Sequence, residues 1–272
     1  MTYKTLLLHV DPTPRSAQRS LLAAHIARSH GSHLIGAAMT GISRHVFDRG
    51  GFDPGDPVFA HHLDQLRAQA RTALDRFEAV AAGVGLDSVE SRIVDDDAAG
   101  GVALQARYAD LCIIGQFDPE SPAPGVLPWL PESVLLDTPG PVLIVPYAGE
   151  PGSEFRRPMV AWDGSMQASR AVRGALPMLA RAGRAEILVS NPDDAAQPHG
   201  DQPGADLALY LARHGIAVNV TGRHIDGGTG EALLSAAADL DADLMVMGAY
   251  GHTRFREIVL GGVTRTVLQA MT

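Results

Sequence analysis

Short apolar runs, each closed by a polar residue or a glycine, alternate along this chain with longer stretches whose apolar positions recur every three or four residues. Thr5 to Val10 (Thr-Leu-Leu-Leu-His-Val) is the first run and ends at Asp11. An unbroken apolar run of this length predicts a strand buried on both faces, as in a parallel sheet. Pro14 to His30 carries Ala17, Leu21, Ala24 and Ala27 at helical spacing and stops at Gly31, a suitable residue to end a helix. His33 to Met39 is the next strand, so the opening is a βαβ unit, whose crossover is right-handed almost without exception. Thr40 to Ala60, with Gly41, Gly50, Gly51, Pro54, Gly55 and Pro57, is expected to be irregular. After it the pattern predicts a long helix over 61–82, a strand over 89–94, a helix over 98–108, a strand at Leu111–Ile114, a short helix and a fifth strand within 141–146.

The same order returns. Pro158 to Trp162 ends in Asp163, a helix is predicted over 166–182, Gly183 stops it, and Ala185 to Ser190 is the next strand. Asp11 matches Asp163 and Gly31 matches Gly183, both 152 residues apart. Ala109-Asp110-Leu111-Cys112-Ile113-Ile114-Gly115 matches Ala242-Asp243-Leu244-Met245-Val246-Met247-Gly248, now 133 apart. Landmarks in one order at nearly constant spacing indicate an internal duplication. The first copy is expected to carry about nineteen extra residues, placed in the irregular stretch 40–60, the drop in offset being the estimate. The reading is α/β, two tandem doubly wound parallel-sheet domains of Rossmann-like type, at 1–147 and 157–272, joined by a Gly- and Pro-containing linker. At this spacing the fifth strand of the second copy would begin beyond Thr272, so that copy is expected to show four strands.

Composition narrows the partners. With 31 acidic against 22 basic residues the net charge is −9, which disfavours nucleic acid and anionic membrane. A single cysteine, Cys112, lies within an apolar run and is read as a small buried hydrophobe. No apolar run approaches the length that spans a bilayer and the first residues lack a signal-peptide pattern, so the expectation is a cytoplasmic protein. Asp95-Asp96-Asp97 is read as the cap and approach of a helix and not as a metal site, and His61-His62 as a solvated helix start.

Chemistry concentrates in one stretch, Met247 to Thr266. Gly248, Gly251, Gly261 and Gly262 surround a loop that leaves a predicted strand and feeds a predicted helix over 263–271, with Thr264, Arg254, Arg256 and Arg265 nearby. Glycines let the main chain approach a ligand, and a helix N-terminus offers unpaired N–H groups and a positive dipole end, so the segment is an anion site suited to phosphate. A P-loop is excluded, because Lys4 is the only lysine in the chain. In the first copy the equivalent positions are Asp118, Pro128 and Pro131, and prolines at 119, 122, 124, 128 and 131 remove the donors a phosphate would need. That half is expected to bind no nucleotide, with Asp11 serving only as a cap.

With these residues in place the chain resembles the universal stress protein family in its tandem form. The resemblance rests on the aspartate closing the first strand and on Gly248-x-x-Gly251-(nine residues)-Gly261. It implies a parallel sheet with helices on both faces and an adenine nucleotide, ATP or AMP with Mg²⁺ as a companion, at the carboxyl ends of the strands. Carried onto this chain, Asp163 would contact the adenosine end with Ala161 beside it. Met247 and Gly248 would lie along the nucleoside, Gly251 and His252 near the phosphates, and Gly261, Gly262, Val263 and Thr264 around the triphosphate. Gly262 stands where ATP-binding members carry Ser or Thr, so weaker binding is expected. The resemblance further implies a stress-response binding protein, with the two domains packed as an intramolecular pseudo-dimer and a homodimer as a further assembly. The alternative is a nucleotide-free interaction module of the same fold. An ATP-dependent enzyme of the related adenine-nucleotide hydrolase type is disfavoured, because neither Asp11-Pro12-Thr13-Pro14 nor Asp163-Gly164-Ser165-Met166 carries the Ser-Gly-Gly-x-Asp-Ser loop of such enzymes.

Overall fold

The computed structural model describes residues 2–43, 45, 56–150, 152–192, 202–250 and 261–272. The chain divides into two compact units, 2–153 and 154–272.

The first unit runs β1 (Thr5–His9), α1 (Arg15–His30), β2 (His33–Met39), α2 (Pro57–Val84), β3 (Val89–Val94), α3 (Ala98–Ala106), β4 (Leu111–Gly115), α4 (Leu130–Asp137) and β5 (Val142–Val145). The five strands form one parallel sheet in the order β3-β2-β1-β4-β5, so the winding reverses between β1 and β4. Leu6, Leu7 and Leu8 are almost wholly buried because β1 is central and covered on both faces. On one face Leu7, Ile35, Ala37, Cys112 and Ile114 pack against Val102, Ala106, Leu130 and Val134 of α3 and α4. On the other, Phe77 of α2 reaches Gly36 so closely that a Cβ there would lie 2.4 Å from the ring. Gly31, at a φ of 64°, ends α1 as expected. Asp97 accepts the Gly100 N–H and caps α3, the role read for this acidic run, and no group of three metal-ligating side chains occurs among the described residues.

The second unit repeats the plan with β6 (Pro158–Trp162), α5 (Met166–Ala182), β7 (Arg184–Ser190), α6 (Ala205–Arg213), β8 (Ala217–Arg223), α7 (Thr229–Asp239), β9 (Leu244–Val246) and α8 (Gly262–Ala270). Its described strands form a parallel sheet ordered β8-β7-β6-β9, again reversing at the first strand. Four strands occur among its described residues. Val160, Ile187 and Val189 pack against α5 and α6, and Met159 and Leu188 against Leu233 and Ala236 of α7.

Two details depart from the sequence reading. The extra length of the first copy lies in a helix and not in the stretch 40–60: α2 begins at Pro57 and has 28 residues where its counterpart α6 has 9. Asp56 accepts the Val58 N–H and Pro57 takes the first helical position, which moves the helix start back from the predicted residue 61. The constant 152 offset also breaks after the glycines. Ser32 sits between Gly31 and β2, while β7 starts directly after Gly183. Pairing therefore makes Gly36, opposite Leu8, the counterpart of Ile187, opposite Val160. The added residue is taken up in the turn, so the equivalent strands keep their faces while the offset drops by one.

A shared aspartate ties each sheet together. Asp110 accepts the N–H groups of Lys4 and Thr5 at 2.6 and 2.9 Å. Asp243 accepts those of Arg156 and Arg157 at 2.7 and 2.9 Å. In both copies the residue before the inner strand thus fixes the entry of the first strand, which is why the Ala-Asp-Leu motif recurs.

Candidate functional site

In a doubly wound sheet, ligands bind outside the carboxyl ends of the strands where the winding reverses. In the second unit that place lies between β6 and β9, whose ends are followed by Asp163 and by Met247 and Gly248.

Asp163 follows the last residue of β6 and is exposed. Its Oδ1 accepts the Ser165 N–H at 2.9 Å, Gly164 turns the chain at a φ of 71°, and Ser165 caps α5 by accepting the Ala168 N–H at 3.1 Å. Ser165 therefore serves as the cap, while Asp163 orders the turn through one carboxylate oxygen. Ala161 is half-buried and packs against the Met159–Leu188–Leu233–Ala236 cluster. Met247 and Gly248 follow β9, beside β6 in the sheet, and both are half-buried. A Cβ at Gly248 would lie 2.5 Å from the Ala168 nitrogen, so only glycine lets this strand end rest on the first turn of α5. Tyr250 adopts a left-handed conformation at a φ of 59°, and its carbonyl accepts from Gln167 Nε2 at 3.5 Å. Gly251 and His252, with Arg254 and Arg256, lie outside the described residues.

Gly261 occupies the cap position of α8 and Gly262 is its exposed first residue; among the described residues a Cβ on either would meet nothing within 4 Å. Among the described residues no side chain caps this helix end. Val263 packs against the Met159–Leu188 cluster, and Thr264 is buried at 6% exposure. The missing side chain of Gly230 lets the first turn of α7 approach Thr266 and the Val263 carbonyl, so the two helices begin side by side where β8 ends. Sequence reading missed Asn191. At a φ of 50°, it accepts the Ile225 N–H at 2.7 Å, donates to the Ile225 carbonyl at 3.3 Å, and so holds the rim beyond β7 and β8. Its signal was a side-chain amide directly following the strand.

The equivalent place in the first unit is built differently. Asp11 is not the cap of α1, which begins after Pro14 without a side-chain cap. Its carboxylate instead pairs with Arg19 and accepts from the Thr13 N–H and hydroxyl. The side chains of Arg19 and Asp11 are only 5% and 10% exposed. Arg19 Nε also donates to the His9 carbonyl at 3.2 Å. Burial works against the charge on Asp11, but Arg19, His9 and Thr13 outweigh it and hold its pKa below the ordinary carboxylate value. His9 is driven the other way: burial, opposed by Asp11 and aided by Arg19, lowers its pKa to about 4. The remaining cavity, lined by Arg19, Gln116, Phe117 and Tyr147 among others, has about 30 Å³ of water-accessible space, room for one or two waters. The proline-containing stretch after β4 lines its far side through Ala123 and Val126.

Tandem doubly wound sheets, each with an aspartate at the reversal point and one with a glycine-started helix beside it, define a two-domain α/β protein. Comparison with known proteins makes this specific. Residues 154–272 match the Universal stress protein family, so the second unit belongs to that family. A universal stress protein from Archaeoglobus fulgidus aligns over 98% of this chain and 93% of its own, with 18% identity and a TM-score of 0.71. A functionally unknown protein from Pseudomonas aeruginosa aligns over 98% of this chain and 89% of its own, with 15% identity and a TM-score of 0.58. The whole chain thus has the tandem universal stress protein fold. No curated protein matches it. Among the described residues no helix is long and apolar enough to cross a membrane.

Proposed function

We propose that the second unit binds an adenine nucleotide, ATP or AMP, and that the protein acts in a stress response as a binding and regulatory protein and not as a catalyst. The observation that supports this most is the state of Asp163: an exposed carboxylate at the strand reversal with one main-chain bond, Ser165 N–H, among the described residues. In this reading its free oxygen accepts from the adenosine end, Met247 and Gly248 line the nucleoside, and the N–H groups of Gly262, Val263 and Thr264 face the phosphates with Gly251 and His252. The dipole of α8 and the exposed Arg265 in its first turn favour an anion there, and Mg²⁺ would accompany a triphosphate. In the first unit the corresponding carboxylate is already paired and the phosphate loop is replaced by prolines, so one nucleotide per chain is expected.

Calorimetry of the full chain with Mg-ATP, AMP and adenosine tests the reading. One site is expected, tighter for ATP than for adenosine, with Asp163→Ala lowering affinity about tenfold, the worth of one hydrogen bond to a charged group. An unchanged affinity in Asp163→Ala would remove the assignment of the adenosine end. No heat and no thermal shift with any of the three would favour the nucleotide-free interaction module.

A further inference from the structure

Arg19 lies eight residues after Asp11, and at the same distance after Asp163 stands Ala171. Both helices are in step there, since their flanking landmarks share one offset. The guanidinium is held by two bonds, to the Asp11 carboxylate and the His9 carbonyl. Its Nη1 lies flat against the end of β4, where a Cβ on Gly115 would be only 2.3 Å from it. Gly115 is the counterpart of Gly248, yet it serves a different purpose: Gly248 admits the backbone of α5, whereas Gly115 admits the tip of Arg19. The first unit therefore holds a cation where the strand order reverses, on a carboxylate whose counterpart in the second unit, Asp163, pairs with no cation among the described residues.

We propose that Arg19 is a resident occupant of the first unit's cleft, taking the position of a ligand's nucleoside and thereby deciding that this half binds none. This rests on the reading that an aspartate at this position holds the adenosine end. The Asp11 carboxylate, the Thr13 turn and the Phe117 and Tyr147 side chains line the cleft that opens further once the guanidinium leaves. The proline stretch gives no phosphate donors, so the vacated cleft takes adenosine no less well than ATP.

Two variants of the full chain test this by counting adenosine sites in calorimetry. Arg19→Ala removes the guanidinium. Gly115→Ala keeps it but places a methyl group where Nη1 lies, and the end of a flexible side chain can yield. Both are expected to bind one more adenosine per chain than wild type, Gly115→Ala more weakly because the displaced side chain remains tethered nearby. Adding Asp11→Asn to Arg19→Ala should remove the gained site. Folded variants with the wild-type number of sites would overturn the proposal, as would two adenosine sites in wild type; if Arg19→Ala does not fold, Gly115→Ala decides alone. A wild type without any site sinks the reading of the second unit, while the gain in the variants still decides this one.

Discussion

Gly262 is the most informative single position for the phosphate end of the second unit. It is the exposed first residue of α8, its backbone is not in the left-handed region, and a Cβ there meets nothing within 4 Å among the described residues. Gly262→Ser therefore adds a hydroxyl beside the helix N-terminus without steric cost. A hydrogen bond from that hydroxyl to a charged phosphate is worth about 1.5–3 kcal/mol, so Mg-ATP should bind about ten- to a hundredfold more tightly. Serine also suits a helix better than glycine by roughly 0.5 kcal/mol, which stabilises the domain whether or not nucleotide binds. Gly262→Ala separates the two effects, since it gains the backbone term without the hydroxyl. Titration calorimetry of all three proteins with Mg-ATP and with adenosine is the assay. The serine variant should gain on ATP alone, and the alanine variant on neither. If serine and alanine variants bind ATP equally, the N-terminus of α8 does not grip phosphate and the site assignment at Gly261–Thr264 fails.

Three further outcomes follow from the packing. His9 titrates near 6.5 when unfolded and about 4 when folded, so the unfolded chain binds more protons between these values; the first unit should lose up to about 3 kcal/mol as pH falls across that window. Asp11, held below its ordinary value and paired with Arg19, extends the loss to lower pH, and calorimetric unfolding of His9→Asn should show a flatter dependence above pH 4. Gly36→Ala drives a methyl group into the Phe77 ring, and overpacking should cost about 1–3 kcal/mol in the first unfolding transition, whereas Gly262→Ala should cost nothing. Asp110→Ala and Asp243→Ala each remove two main-chain bonds to a partly solvated carboxylate; losses of about 1 kcal/mol, each confined to its own unit, are expected in denaturant titration, and a loss in the wrong unit would contradict the clamp.

The strand–helix order was legible because buried parallel strands are continuous apolar runs and helices end at glycines such as Gly31 and Gly183. Val89–Val94, His33–Met39, Pro158–Trp162 and Met166–Ala182 fall where the pattern put them. The long α2 was read too short because its first turn is set by the Asp56 cap and Pro57, which composition alone marks as loop. Ser32 could not be found from landmark offsets, since both glycines precede it and the next shared motif follows a length change of its own. The convergence of Asp163, Met247 and Gly248 on one sheet edge was readable from strand order. The Arg19–Asp11 pair was not, because an arginine at helical spacing among Ser16, Ser20 and Ala23 looks like a solvated residue until the sheet above it is in place.

The hollow at Gly36 limits how the two halves of the chain can fold on one another's templates. Phe77 needs that hollow, and the second sheet fills the same spot with Ile187. The long helix consequently has a seat on its own sheet and none on its sibling's, so a mispaired intermediate that borrowed it would be left with an unhoused aromatic ring. Duplicated domains are prone to such exchanges during folding. Here a glycine in one sheet, facing an isoleucine at the same place in the other, supplies a lock that keeps each half loyal to itself.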